Sequence, residues 1–386
     1  LVRPFVARGL LLLRRRLPKL APLALVAACT KPVSVGSFEL EVPSGWQSQT
    51  DEGTLIIGER DLALVHLLDA KQRLEAIEGR SEIYVNLMIK LAELAYDRGD
   101  TAEAMAQFEQ AQTVAENLPF VCACKAKTLT GLGWFNLRAD HPEQALAYFE
   151  RAIALGADDE LHRYYLASVR GATPPAPPRD YVQALFDTYA DDFQGHLTGA
   201  LRYQAHEVLV ANLPPPVSGD GRWQSVLDLG CGTGLCGPLV RARADRVTGV
   251  DLSARMLEQA RAGGAYDALE HADITAWLGA AQGRHDLVLA ADVFIYVGAL
   301  QDVFAGVARL LAPGGTFAFS VERLAEDKDG AQGLRLMPSL RYAHAESYVR
   351  QLAQAHGLRV VSTVQAPIRE DQRRPIDGLY CYLQGH

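Results

Sequence analysis

Residues 226–237 read VLDLGCGTGLCG, an apolar run that breaks into a turn with glycine at 230, 232, 234 and 237. No other stretch constrains the fold as much. Glycines directly after a strand let the backbone approach a ligand closely and adopt conformations closed to other residues. Two patterns overlap here. Gly232, Gly234 and Gly237 fit the dinucleotide fingerprint G-x-G-x-x-G, whereas Asp228, Gly230, Gly232 and Gly234 fit an acid-led D-x-G-x-G-x-G loop. The two imply different cofactors, so the rest of the chain must choose.

Beyond this loop the chain alternates between strand and helix patterns. Strands are expected at 225–230, 246–251, 269–274, 285–292 and 314–322. A helix, AESYVRQLAQAHG, leads into LRVVSTVQAPIRE and GLYCYLQG, which read as a β-hairpin joined by the polar turn DQRRPID. This is the signature of an α/β fold: a parallel sheet with helices on both faces, closed by one antiparallel pair. Asp228, Asp251, Asp273 and Asp292 then fall at the carboxyl ends of successive strands. In a doubly wound sheet those ends line the ligand crevice. A carboxylate at Asp251 suits both ribose hydroxyls, and one at Asp273, beside Ile274, suits an adenine amino group.

The dinucleotide reading meets two obstacles. Its first glycine should follow the strand directly, yet Gly232 comes after Gly230 and Cys231. Asp228, two residues before Gly230, has no task on a pyrophosphate and would repel it. It suits a ligand that carries an ammonium and a sulfonium.

VLDLGCGTG, GVDLSARML, HADI, DLVLAADVFIYV and LLAPGG, in this order, resemble the motifs of the class I S-adenosylmethionine-dependent methyltransferases. The resemblance covers about 180–386. Together with helical repeats ahead of it, the chain is similar to bacterial methyltransferases with an N-terminal tetratricopeptide segment, as are YVQALFDTYADDFQGHLTGALRY and LRYAHAESYV. The resemblance implies a Rossmann-like seven-stranded sheet, which the closing hairpin fits, and S-adenosylmethionine as cofactor. It gives Asp228 and the loop of Gly230, Cys231, Gly232 and Gly234 the methionine end. Asp251 takes the ribose, Leu252 and Met256 flank the adenine, and Asp273 and Ile274 meet its edge. Met256 reads equally as helix core, and Ser253 as a helix N-cap. Gly237 reads as a small residue in a first helical turn.

Methyl transfer needs a base only when the acceptor must lose a proton. The resemblance points to Asp292, Tyr296, His196, Tyr342 and His344, with His344, Tyr296 and Asp292 as the catalytic candidates. Each has a structural reading beside the catalytic one. After the fourth strand stands AADVFIYV, without the Asp/Asn-Pro-Pro-Tyr of amino-group methylation and without a Pro-Cys nucleophile. Charge agrees with that. The first 38 residues hold seven Arg or Lys and no acid, which leaves 31 basic against 46 acidic residues beyond them. Such a body has no footprint for a phosphate backbone, so no nucleic-acid partner is expected. The acceptor is an unidentified small molecule or protein. Two other readings stay open: a cofactor-binding interaction protein without turnover, and an NAD-type oxidoreductase.

Ahead of this domain the pattern is helical and repeats. EAMAQFEQA (103–111) matches QALAYFERA (144–152), aligning Ala104, Phe108 and Ala111 with Ala145, Phe149 and Ala152. Small-large-small at this spacing is a helix face built for close approach. It resembles the tetratricopeptide repeat, and implies a protein partner or a spacer. Two units are too few for an independent solenoid and should lean on a neighbour. The expected domains are a signal-like or non-native segment 1–35, an unassigned mixed segment 36–80, repeats 81–170, a Pro-rich linker 171–180 and the methyltransferase domain 181–386. A single helix is expected from Tyr181 to Leu213. The segment Arg14–Cys29 resembles an export or lipoprotein signal, but a cytoplasmic location is expected from the cofactor. Its apolar run is too short to span a bilayer, so no transmembrane helix is expected. The cysteines show no zinc spacing, so no metal site is expected, and Cys122 and Cys124 read as packing residues without a disulfide.

Overall fold

The computed structural model describes residues 82–386 apart from 119–122, 140, 158, 190–201, 218, 326–332 and 372–373, with strands between 30 and 57 and residues Leu68 and Lys71. The signal-like segment Arg14–Cys29 and the candidate His196 lie outside the described residues. The chain divides into two compact units, Leu1–Pro119 and Phe120–His386.

In the first unit, β1 (Thr30–Val35) pairs antiparallel with β2 (Phe38–Pro43), and β3 (Ser48–Asp51) with β4 (Thr54–Ile57). Helices α1 (Glu82–Asp97) and α2 (Thr101–Glu116) pack together. The turn between them uses Gly99 at φ +81°, and Asp100 caps α2 by accepting from the Glu103 N–H at 3.1 Å. Ala104, Phe108 and Ala111 are buried on α2.

The second unit opens with a similar pair, α3 (Ala123–Arg138) and α4 (Pro142–Ala154). Ala145, Phe149 and Ala152 are fully buried. A Cβ on Gly133 would come within 2.6 Å of the Phe149 ring, so this crossing needs glycine. Cys124 is disulfide-bonded, which corrects its reading as a free packing residue. Helix α5 (Asp159–Val169) and the proline segment after it lean on the sheet domain. Tyr164 donates its hydroxyl to the Leu340 carbonyl and Ser168 to that of Met337, both at 3.0 Å.

Among the described residues, the single helix expected from Tyr181 to Leu213 does not run through. Helix α6 (Arg179–Tyr189) and α7 (Ala205–Ala211) are separate, and Arg202 between them takes φ +45°. The Gln204 N–H leaves the helical ladder for the Ile368 carbonyl at 3.1 Å. Tertiary pairing with the sheet overrides the helical period there.

From Trp223 the chain builds one sheet of nine strands among the described residues. Its main body runs β7 (Ala268–His271), β6 (Ala244–Asp251), β5 (Trp223–Leu229), β8 (His285–Ala290), β9 (Leu311–Arg323), β13 (Arg374–Gln384), β12 (Arg359–Asp371). The first five are parallel and the last pair is the antiparallel hairpin. The chain reverses strand order at β5, so the crevice opens beyond its carboxyl end. The hairpin strands extend into the polar DQRRPID stretch, because main-chain pairing there does not depend on apolar side chains. Two strands were not expected. β10 (Leu334–Leu336) and β11 (Tyr342–His344) pair with each other, and β11 adds to the carboxyl end of β9. Three-residue strands are too short to show a period.

Helices α8 (Cys236–Arg241), α9 (Ala254–Gly263), α10 (Ile274–Ala280), α11 (Gln301–Leu310) and α12 (Glu346–Ala355) complete the unit. Apolar residues of β5 and β8 pack outward in both directions: Leu227 and Val288 join one core, Val226 and Leu287 the other. Burial on both faces is what a central parallel strand requires.

Candidate functional site

The glycine turn takes the conformations the sequence demands. Gly230, Gly232 and Gly234 have φ of +65°, +54° and +91°. A Cβ on Gly230 would lie 2.3 Å from Val293, so the loop presses against the segment after β8. Gly237 lies in the first turn of α8, where a Cβ would meet the Tyr266 ring at 2.6 Å.

Asp228 is 2% exposed near the end of β5. The Tyr266 hydroxyl donates to its Oδ2 at 2.6 Å and accepts from the Gly237 N–H at 3.1 Å. Burial pushes the Asp228 carboxyl up to about 7, with Asp251 pushing the same way and Tyr266 opposing. Asp251 ends β6. Its two oxygens accept from the N–H groups of Gly232 and Ser253, both at 2.8 Å. Burial raises its pKa against those two bonds. Each carboxylate oxygen keeps a second acceptor position. Two neighbouring buried acids are therefore held by neutral donors, and such an environment favours a cation. The Thr233 hydroxyl in the same loop is buried without a partner. A glycine cradle, an orphaned hydroxyl and uncompensated carboxylates fit an aminoacyl sulfonium nucleoside.

Around the residues that the resemblance gives to the adenine, the structure shifts the strand end. β7 ends at His271, and Asp273 is the N-cap of α10, accepting from Ala276 N–H at 2.9 Å and from the Thr275 hydroxyl. Ile274 is the first residue of that helix and is buried. The Leu252 carbonyl contacts His271 Nε2 at 2.9 Å. Met256 is fully buried, and Ser253 caps α9 through the Met256 N–H. Cys231 is buried, and burial pushes its thiol far up.

Beyond β8 the chemistry changes. Asp292 has φ +53°, a conformation few side chains adopt. Its N–H donates to Ser320 Oγ at 2.8 Å. Arg369 on β12 donates to both Asp292 oxygens, at 2.7 and 2.6 Å, and to Glu322 of β9. Arg369 is 3% exposed, and burial raises the Asp292 pKa while Arg369 opposes. Tyr296 lies in a 3₁₀ turn, where Arg341 Nε donates to its hydroxyl at 3.1 Å. Sequence reasoning missed Arg341, Glu322, Arg369 and Tyr266. Arg341 sits beside two residues it did single out, Tyr342 and His344.

His344 is fully buried on β11. Nε2 donates to the Gly298 carbonyl at 2.7 Å, while Nδ1 has no partner. Burial drives its pKa down to about 4, so the ring is neutral at pH 7. Tyr342 is also fully buried, its hydroxyl without a partner. The structure thus brings Asp292, Tyr296, Arg341, Glu322 and Arg369 together, while His344 is fully buried on the Gly298 carbonyl.

The sheet order, the switch point at β5 and the anionic glycine cradle define a nucleotide-cofactor transferase domain. The family model described as "Methyltransferase domain" matches residues 226–315. A malonyl-[acyl-carrier protein] O-methyltransferase of Enterobacter lignolyticus is 34% identical over 169 residues, 44% of this chain and 60% of that protein. The protein of the same name from Salmonella typhimurium is 32% identical over 187 residues, 46% of this chain and 67% of that protein. A trans-aconitate 2-methyltransferase of Paracidovorax citrulli is 35% identical over 119 residues, 30% of this chain and 44% of that protein. This chain belongs to the class I S-adenosylmethionine-dependent methyltransferases. It spans between 52% and 67% of the length of the malonyl-[acyl-carrier protein] methyltransferases it matches. No helix among the described residues is long and apolar enough to cross a membrane.

Proposed function

We propose that this chain transfers a methyl group from S-adenosylmethionine to a carboxylate oxygen of a small or carrier-borne organic acid, giving a methyl ester. The observation that carries this reading is the pair of guanidinium groups, Arg341 and Arg369, gathered beside Asp292 and Tyr296 beyond β8. Arginine's planar fork matches a carboxylate in two bonds at once. Two further points support it. The relatives named above act, by their names, on a malonyl group and on trans-aconitate, both carboxylic acids. Two of the three candidate bases are also engaged, Asp292 on Arg369 and Tyr296 on Arg341, and His344 is fully buried. A carboxylate acceptor is already ionised at neutral pH and has no proton to lose, so it needs none of them.

When bound, the cofactor supplies a methyl group on a positively charged sulfur. The cradle of Gly230–Gly234, Asp228 and Asp251 holds the methionine and ribose ends, with Leu252, Met256, Asp273 and Ile274 around the adenine. Arg341 orients the acceptor oxygen for in-line attack, Arg369, bonded to Asp292 and Glu322, braces that wall, and Val293 and Tyr296 exclude water. Asp292 positions Arg369. Within this reading the helix pairs of residues 81–170 are a tetratricopeptide-like module serving a partner or carrier.

The test is transfer of labelled methyl from the cofactor to a panel of mono-, di- and tricarboxylic acids and acyl thioesters. Label released as methanol by mild alkali identifies an ester. Base-stable label, or label only on amines, overturns the carboxylate assignment. Absence of transfer to any fraction of a cell extract, despite tight cofactor binding, favours the interaction protein instead. Calorimetric binding of NAD and not S-adenosylmethionine would favour the oxidoreductase.

A further inference from the structure

Helix α6 reaches both halves of the site through two adjacent residues. The Phe186 ring packs edge-on against Tyr296, centroids 5.0 Å apart at 83°. Tyr296 in turn accepts from Arg341. The next residue, Asp187, faces the cofactor side. Its Oδ1 accepts from the Ser253 hydroxyl at 2.6 Å, and its carbonyl from Arg255 at 2.8 Å. Ser253 is fully buried, and its own N–H donates to Asp251 Oδ1. The other oxygen of Asp251 holds the Gly232 N–H. An unbroken path thus runs from the glycine loop through Asp251, Ser253, Asp187 and Phe186 to Tyr296 and Arg341.

The Ser253 hydroxyl has no slack in this path. It donates to Asp187 while accepting from the Met256 N–H at 3.3 Å. Its donor and its N-capping role are engaged together, so a shift of Asp251 moves the start of α9 and the end of α6 as one body. The bond to Asp187 is charge-assisted and short, the kind that fixes geometry best.

We infer that Asp187 is a positioning residue that couples occupation of the ribose acid, Asp251, to the order of the acceptor wall at Tyr296 and Arg341. This rests on the methyltransferase reading of the cradle. Ribose hydroxyls on Asp251 fix its carboxylate, Ser253 follows, and Asp187 holds the end of α6 so that Phe186 braces Tyr296. Linkage makes the effect reciprocal: an acceptor that orders the Tyr296 wall tightens the cofactor by the same factor.

Hydrogen exchange of the full chain, followed by mass spectrometry with and without S-adenosylhomocysteine, tests this without needing the acceptor. In the unaltered protein the ligand is expected to slow exchange in residues 226–256 and also in 294–299, the latter by at least about fivefold, the low end of typical site-to-site coupling. Asp187→Ala should keep the protection of 226–251 and lose that of 294–299. Asp187→Asn retains an Oδ1 acceptor and should restore it. Phe186→Ala breaks the path on its far side and should mimic Asp187→Ala, which guards against one variant failing to fold. Full protection of 294–299 in Asp187→Ala or Phe186→Ala overturns the coupling. Failure of S-adenosylhomocysteine to bind the unaltered protein overturns the cofactor reading itself, and the coupling with it.

Discussion

The two ends of the crevice each bury a pair of carboxylates and treat them in opposite ways. At the glycine loop, Asp228 and Asp251 are held by a phenol and by main-chain N–H groups. Beyond β8, Asp292 and Glu322 are held by the Arg369 guanidinium. Neutral donors satisfy geometry without cancelling charge, so the first pair is left seeking a cation. The guanidinium opposes the upward push of burial on Asp292, so the second pair is a buttress for arginine. One fold thus presents a cation-seeking half and a guanidinium-bearing half within one crevice. That is the arrangement needed to bring a sulfonium and an anion face to face.

The sharpest way to break this comparison is to remove the guanidinium. Arg369→Met leaves Asp292 and Glu322 buried together without their hydrogen-bonded cation, and unfolding by denaturant should show a loss of about 3–5 kcal/mol, the scale for breaking a buried ion pair. Adding Asp292→Asn should recover part of it, because the two changes share one network. A loss below about 1 kcal/mol would mean the acceptor end behaves like a solvated surface pair, and the contrast would vanish.

At the other end, Asp251→Ala should weaken S-adenosylhomocysteine by about 2–3 kcal/mol in calorimetry, the scale for charge-assisted hydrogen bonds to the ribose. Unchanged affinity would mean that the carboxylate serves only the loop.

The third effect is a pH dependence. Asp228 titrates at about 7 in the fold, against 3.8 for an ordinary aspartate, so the folded state holds the proton more tightly. Its contribution to stability is complete below about 3.8 and fades as pH rises through about 7. The ligand-free protein should therefore lose this contribution over that window, while affinity for the cationic ligand grows, since ionised Asp228 is the form that attracts it. Thermal unfolding with and without S-adenosylhomocysteine from about pH 5 to about pH 8.5 should show the ligand-induced shift rising with pH, and Asp228→Asn should flatten it. A shift independent of pH in the unaltered protein would detach Asp228 from the cofactor.

Much of the glycine-loop geometry was legible in the sequence because it is local. Gly230, Gly232 and Gly234 stand beside Asp228 in one loop, and Asp251 closes the next strand. Ser253 as an N-cap and Gly237 as a small packing residue are both found in place. The arginine-bearing half was not legible. Asp292 lies 77 residues from Arg369, and Glu322 lies 47 from it, with no spacing rule to join them. Only the pairing of β13 between β12 and β9 brings Arg369 to Asp292 and Glu322. Asp273 shows a third case: the strand expected to run through it ends at His271, and Asp273 caps the following helix through the Ala276 N–H. The helix expected from Tyr181 to Leu213 failed because a sheet carbonyl, that of Ile368, competes for the Gln204 N–H.

The smallest effect is the most discriminating between the two ends. Ser320 is fully buried on β9, and its hydroxyl accepts the Asp292 N–H, which holds that residue at φ +53°. Ser320→Ala removes one oxygen and leaves a buried N–H without a partner beside a strained backbone, a cost of about 1–2 kcal/mol. Nothing in that bond touches the glycine loop. Unfolding experiments should therefore show the loss while calorimetry shows S-adenosylhomocysteine binding within about twofold of the unaltered protein, as expected for separate sites. On the proposed carboxylate reading, the Michaelis constant for the acceptor should rise, since Asp292 is bonded to Arg369. Loss of cofactor affinity on the scale of Asp251→Ala would show instead that the segment after β8, which presses Val293 against Gly230, fixes the cradle as firmly as Asp251 does.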